Sequence, residues 1–216
     1  MPTGTTRAAR LHETRELILD AAERLFAEDG LGVSNRRVGE AAGQGNNTAV
    51  GYHFGTKLDL VRAIVRRHAE DTERRRADML DRIRDSTELR DWVECMVRPI
   101  TDHLAELGTP TWYARFLAQV STDPLYRIPV QETSLESEAM RRNIAGIDRC
   151  FPAVPPRVRV ERGGMTRQLI IHMPAERERQ LAVGEPTASE SWDETGTRLV
   201  EAIVAISTAP VTAAGA

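Results

Sequence analysis

Apolar residues recur along this chain at intervals of three and four, the period of an amphipathic helix, and no segment shows the alternation expected of a strand. The pattern predicts two short helices between Ser34 and Gly55. It predicts longer helices over about 13–29, 57–84, 87–106, 111–121, 135–151, 157–181 and 192–206. We therefore expect an all-α fold.

The run from Ser34 to Gly55 carries the clearest local signals. Ser34 is a good N-cap for a helix that Gly43 can end in the left-handed conformation. After a polar turn, Asn46 or Asn47 can cap a second short helix, which ends at Gly55. Two short helices joined by a turn form a helix-turn-helix, the arrangement that places a small exposed helix against DNA.

The flanking segments fit the same arrangement. The helix over 13–29 ends at Gly30 and presents one apolar face that can brace the two short helices. Thr56 and Asp59 form a weaker version of the capping box at the start of the fourth helix. Residues 12–56 therefore form a candidate three-helix domain.

These residues resemble a known family. The run AAERLFAEDG after Ile18, the run SNRRVGEAAG and the run AVGYHFGTKLDLV resemble the N-terminal DNA-binding domain of TetR-type transcriptional regulators. The resemblance covers residues 12–68 closely and the remainder only in helix layout and length. It implies an all-α protein with an N-terminal three-helix helix-turn-helix domain, followed by a larger helical ligand-binding and dimerisation domain. The implied divisions are a flexible arm (1–11), the DNA-binding domain (12–56), a connecting helix (57–84), the effector-binding and dimerisation domain (85–207) and a disordered tail (208–216).

Two features depart from the family pattern. The turn QGNN is one residue longer than the common form, and Gly51 stands where most members carry a tyrosine that contacts a phosphate. Tyr52 and His53 remain as the aromatic pair. Both departures favour an alternative, in which a helical small-molecule-binding or scaffold protein has lost specific DNA binding.

The resemblance implies a function as a homodimeric regulator, most simply a repressor, on a palindromic operator. Ser34, Asn35 and Lys57 are expected to bind phosphates, and Arg36 to make a bidentate contact with guanine. The complete set of expected DNA-binding residues is Ser34, Asn35, Arg36, Arg37, Asn46, Asn47, Thr48, Ala49, Gly51, Tyr52, His53 and Lys57.

The helices after residue 85 are expected to hold an effector pocket and a dimer interface. Side chains suited to an apolar or amphipathic effector, or simply to a core, are Met96, Trp112, Phe116, Met140, Ile144 and His172. The expected dimer residues are Gly164, Gln168, Trp192, Leu199, Ile203 and Ile206. Pro174 is expected to kink or divide the helix over 157–181.

Composition excludes other classes. The net charge is −3, and residues 1–58 hold seven basic and seven acidic side chains, so DNA binding must depend on where the cations lie. The chain shows no enzyme motif, no metal-ligand spacing and no cofactor motif, so we expect no catalytic site, no cofactor and no metal. With no secretory signal, no apolar span and only Cys95 and Cys150, the protein is expected to be cytoplasmic, with reduced thiols and no membrane partner.

Two histidines leave alternatives open. His68 fits either a contact between the two domains or a half-buried core position. Asp102, His103 and Glu106 lie on one helix face as an acid–base cluster or, more simply, as surface ion pairs.

Overall fold

A computed structural model describes residues 7–45 and 48–211 of the chain. The described residues form ten helices and no strand, which confirms the all-α prediction. The helices are α1 (Arg7–Asp29), α2 (Asn35–Ala41), α3 (Ala49–Phe54), α4 (Lys57–Arg82), α5 (Leu89–Leu107), α6 (Tyr113–Thr122), α7 (Arg127–Leu135), α8 (Glu138–Cys150), α9 (Pro156–Val183) and α10 (Trp192–Thr208).

The predicted N-terminal arm is partly helical, and other predicted segments fall on residues that the structure does not describe. Helix α1 begins at Arg7, so the second half of the expected arm over 1–11 is helical. Residues 1–6 of that arm and residues 212–216 of the expected tail lie outside the described residues, as do Asn46 and Asn47 of the turn.

Local capping sets both ends of α2 and the start of α4 as the sequence predicts. The Ser34 hydroxyl accepts from the backbone N–H of Arg37 at 3.2 Å, which caps α2. Gly43 follows α2 with a φ of +69°, a conformation that glycine adopts without steric cost. Thr56 and Asp59 form a reciprocal capping box at the start of α4.

Helix α4 leaves the N-terminal domain and packs against α5 and α8. Helix α6 lies between α1 and α9. A side chain of α9 caps the N-terminus of α6. The buried carboxylate of Glu178 in α9 accepts from the backbone N–H groups of Ala114 and Arg115 at 3.1 and 2.9 Å. Helix α6 thereby connects α1 of the N-terminal domain to α9.

The second half of the chain contains one helix that was not predicted and another that continues through a proline. Segment 127–135 forms α7, which the apolar pattern did not predict, and Ser137 then caps α8. Pro174 does not divide α9, which runs without interruption from Pro156 to Val183. No helix in the described ranges is long and apolar enough to cross a membrane.

Candidate nucleic-acid interface

Helix α3 has one buried and one open face. Val50 and Phe54 are 1% and 8% exposed and pack in the core with α1 and α4, and the guanidinium of Arg15 lies over the Phe54 ring at 5.0 Å. On the opposite side, Gly51 is exposed and the Tyr52 side chain is 72% exposed. The helix therefore presents Gly51, Tyr52 and part of His53 to a partner.

Packing within the subunit does not require a glycine at position 51. A Cβ placed on this residue meets no atom within 4 Å, so the open face accommodates a side chain or a closely approaching ligand. The rings of Tyr52 and His53 meet edge to face, with centroids 5.2 Å apart. This pair is the only large aromatic surface that α3 exposes within the described residues.

Helix α2 supplies two exposed cations, each in an ion pair. Arg36 Nε lies 2.8 Å from Glu40 Oε1, and this hydrogen bond raises the pKa of Arg36. Arg37 Nη2 lies 2.9 Å from Asp29 Oδ2. Because exposed ion pairs contribute little in water, a phosphate or a guanine can replace either carboxylate.

The remaining expected DNA-binding residues are distributed around α2 and α3. Asn35 is half-buried, and its Oδ1 is buried without a hydrogen-bond partner. Thr48 is exposed at the start of α3, and Ala49 is half-buried. Helix α3 begins at Ala49, with Thr48 in the place of the cap, one or two residues later than a cap at Asn47 or Asn46 predicts. The expected contacts of Asn46 and Asn47 fall on undescribed residues.

Lys57 makes contacts that the sequence did not predict. Its Nζ donates to the carbonyls of Leu31 and Val33 at 2.9 and 2.6 Å. Two of its three donors therefore hold the loop between α1 and α2 in place. The expected phosphate contact is left with at most one donor.

The expected effector residues do not converge on one cavity. Phe116 is fully buried in the core, and the Trp112 indole N–H donates to Glu28 Oε1 at 2.9 Å. Met96, Met140 and Ile144 are half-buried on α5 and α8.

Only His172 among them lines a cleft between α1, α6 and α9. This cleft has a volume of about 550 Å³ and is lined by Ala27, Glu28, Arg115, Ala118, Gln119, His172, Ala175, Glu176 and Arg179 of α1, α6 and α9.

Three of the expected dimer residues face inward. Leu199 and Ile203 of α10 are 4% and 2% exposed and pack against α5 in the same subunit, and Trp192 is 8% exposed. They are therefore core residues of the subunit. Gly164 and Ile206 are half-buried, and Gln168 is exposed.

A buried polar cluster joins the N-terminal domain to the rest. His68 is 5% exposed, and its Nδ1 lies 2.8 Å from Nε2 of His103. His103 is thus a core residue and not part of a surface acid–base cluster. The sequence signal for this contact was weak, because the two histidines are 35 positions apart. Among the described residues, no group of His, Cys, Asp and Glu can hold a metal ion.

Comparison with known proteins gives a family match and a structural match. Residues 18–64 match the family model for bacterial regulatory proteins of the tetR family. A solved structure described as a TetR-family transcriptional regulator from Rhodococcus sp. superposes with a TM-score of 0.51 at 15% sequence identity, covering 91% of this chain and 100% of that chain. The curated proteins contain no match. The family match thus lies in the N-terminal domain, and the similarity in fold extends over most of the chain.

Proposed function

We propose, from the match of residues 18–64 to the tetR family model and from the similarity of the helical fold, that this chain is a ligand-responsive repressor acting as a homodimer on a palindromic operator in the cytoplasm. DNA-binding transcription regulation is the function of this class. The open face of α3, with Gly51 and Tyr52 exposed and Val50 and Phe54 buried, is the observation that carries the proposal.

Each part of the interface then has a role. The Gly51–His53 face of α3 enters the major groove, where the open space at Gly51 permits close approach to the DNA. Ser34 and Asn35 lie at the start of α2, where backbone N–H groups favour a phosphate. Arg36 exchanges Glu40 for a guanine edge, and Arg37 exchanges Asp29 for a phosphate.

A negative charge added to α3 tests this role. Gly51→Glu places a carboxylate on the open face without a clash, so the fold is retained while the phosphates are repelled. Gln131→Glu adds the same charge on exposed α7 and serves as the control. We expect fluorescence anisotropy with labelled random duplexes to show a loss of about tenfold or more for Gly51→Glu alone. Equal binding by both variants contradicts the proposal.

The dimer must use the faces of α9 and α10 that the subunit leaves open. Val160, Gly164 and Gln168 follow one another at four-residue spacing on α9, and Val160 is 76% exposed. Ala202 and Ala205 provide a small, close-packing stripe on α10. These two stripes, paired with their copies, make a four-helix interface.

A bulky side chain at the centre of this face tests the pairing. Gly164 has open space within its subunit, so Gly164→Trp leaves the subunit intact and blocks the partner helix. Sedimentation equilibrium is expected to give a dimer for the wild type and a monomer for the variant. A variant that remains dimeric places the interface elsewhere.

The cleft between α1, α6 and α9 is the proposed effector site. Its volume of about 550 Å³ suits a small amphipathic molecule, and its lining combines three alanines with polar side chains that include Arg115, Gln119 and His172. Because the cleft borders α1, an effector there changes the position of the N-terminal domain. Such a shift alters the separation of the two recognition helices and releases the operator.

The alternative function is a helical small-molecule-binding protein without specific DNA recognition. The missing aromatic side chain at Gly51 and the occupied donors of Lys57 favour it. In that case effector binding persists while no DNA sequence is preferred.

A further inference from the structure

Two histidines and two carboxylates form a continuous chain of hydrogen bonds across α1, α4 and α5. His68 Nε2 lies 2.8 Å from Glu23 Oε2, and His68 Nδ1 lies 2.8 Å from His103 Nε2. His103 Nδ1 lies 3.0 Å from Asp71 Oδ2. The chain therefore runs from the N-terminal domain, through the connecting helix, to the first helix of the larger domain.

The carboxylates at both ends are acceptors only. Burial alone would raise the pKa of Glu23, but the hydrogen bond with His68 and the charges of His68 and Arg67 outweigh it and leave the pKa lowered. The hydrogen bond from Arg75, together with those from His103 and Arg74, lowers the pKa of Asp71 to about 2. Both groups are ionised near neutral pH, so the protons of the outer bonds belong to the imidazoles.

Counting protons then fixes the charge of the pair. The Glu23 bond needs a proton on His68 Nε2, and the Asp71 bond needs one on His103 Nδ1. The central bond needs a third proton, between His68 Nδ1 and His103 Nε2. Since two neutral imidazoles carry only two N–H protons, the pair holds one additional proton and one positive charge.

The surroundings contain charges of both signs. Arg67 lies 2.6 Å from both Glu23 and Asp20, and Arg75 lies 2.6 Å from Asp71 and also pairs with Glu106. The Tyr113 ring of α6 stacks on His68 with centroids 3.7 Å apart, and burial raises its pKa. Charged and titratable groups around the pair are Glu23 and Asp20 of α1, Arg67, Asp71, Glu73, Arg74 and Arg75 of α4, Glu106 of α5 and Tyr113 of α6.

The pair cannot accept a second proton in this arrangement. The vacant lone pair of His103 is on Nε2, where an added proton would meet the N–H of His68. Burial, followed by the charge of His68, lowers the pKa of His103, although the hydrogen bond to Asp71 opposes the shift. Protonation of His103 in acid therefore requires the central bond to break.

We propose that His68 and His103 form a buried binding site for a single shared proton, which ties the N-terminal domain to the larger domain and opens when a second proton binds at mildly acidic pH. If the proposed DNA binding holds, opening loosens the recognition helix relative to the dimer and lowers operator affinity. The site itself is tested without DNA, so its failure and the failure of the proposed function are distinguishable.

The direction of the pH dependence follows from the lowered pKa of His103. The unfolded chain takes up a proton on this residue near pH ~6.5, before the folded protein does. The folded pair holds one added proton, whereas the two unfolded imidazoles together hold one near pH ~6.5 and two in acid. The contribution of the pair to stability is therefore greatest near pH ~6.5 and is lost as the pH falls below it. It also declines as the pH rises above ~6.5, where the unfolded chain has released a proton that the folded pair keeps. The cluster adds no loss from Asp71 until the pH falls below the unfolded pKa of ~3.9, and that loss continues down to the folded pKa of about 2.

The first experiment counts protons on the full chain labelled with ¹⁵N-histidine. Nitrogen chemical shifts at pH 7.5 are expected to show three protonated ring nitrogens on His68 and His103 together, assigned with the variants His68→Gln and His103→Gln. Two protonated nitrogens, one on each ring, overturn the shared-proton site. No variant needs to fold for the wild-type count itself.

The second experiment follows urea unfolding between pH 6.5 and pH 5.0, where the unfolded chain binds the second proton. His103→Gln keeps an oxygen that accepts from His68 but cannot be protonated, and His12→Gln removes an exposed histidine as the control. The wild type and His12→Gln are expected to lose stability over this range, and His103→Gln to lose less. Equal losses of stability in all three proteins overturn the proposal that a second proton opens the site formed by His68 and His103.

Discussion

Arg76 Nη1 of α4 donates to the backbone carbonyl of Cys95 in α5 at 2.5 Å. Cys95 lies four residues before Pro99, which has no N–H and so leaves this carbonyl without its helical donor. The Arg76 side chain is 1% exposed, and it also donates to the Met96 carbonyl and to Asn143 Oδ1 at 3.3 and 3.4 Å. Helix α4 thus replaces the hydrogen bond that proline removes from α5.

This relationship predicts a non-additive pair of substitutions. Arg76→Met leaves the Cys95 carbonyl buried without a donor and should lower the free energy of unfolding by about 2–4 kcal/mol. Pro99→Ala restores the backbone N–H, so we expect it to recover about 1 kcal/mol or more in the Arg76→Met background. Urea unfolding of the two single variants and the double variant measures the coupling. Additive effects would show that Arg76 does not compensate for the donor that Pro99 denies to the Cys95 carbonyl.

Replacement of glycine by alanine is expected to have opposite effects on stability at positions 51 and 146. Gly51→Ala adds a methyl group in open space within α3 and should raise stability by about 0.5–1 kcal/mol. Gly146→Ala is the contrasting control, since its Cβ would lie 1.9 Å from the Trp92 ring and must displace it. Thermal unfolding of both variants checks the prediction. A destabilised Gly51→Ala protein would mean that α3 packs against something on its open face.

Lys57 is predicted to act through the fold. Lys57→Met removes two hydrogen bonds to the α1–α2 loop and should lower stability by about 1–3 kcal/mol. The dependence of DNA affinity on salt concentration should stay close to that of the wild type. An unchanged stability with a salt slope smaller by about one charge would instead assign Lys57 to a phosphate.

Arg36 is predicted to carry base preference. Because its ion pair with Glu40 is exposed and exchangeable, Arg36→Ala should weaken binding to the preferred site about tenfold and relax preference at one base pair. Arg127→Ala, at the exposed start of α7, is the matched control. Competition assays with single-base variants of the site measure the effect. Equal weakening on all sequences would identify a phosphate contact.

The sequence was most informative where structure is determined locally. The cap at Ser34, the left-handed residue at Gly43 and the capping box of Thr56 and Asp59 each depend on residues within four positions, and all are present. Helical periodicity likewise shows which residues share a face.

Periodicity does not show what covers that face. Leu199 and Ile203 lie together as predicted, but α5 of the same subunit covers them where a partner was expected. The contacts of Lys57 with Leu31 and Val33, and of His68 with His103, join positions far apart in the chain. Such contacts follow from packing of the helices, which no local pattern encodes.

Selection from random duplex DNA tests the central claim most directly. The purified protein is incubated with the pool at about 150 mM salt, where nonspecific attraction to phosphates is weakened, and the retained duplexes are sequenced. We expect an inverted repeat whose half-sites have a fixed spacing, as two copies of α3 on a symmetric dimer require. Retention of no sequence above background would contradict sequence-specific recognition and favour the helical binding protein.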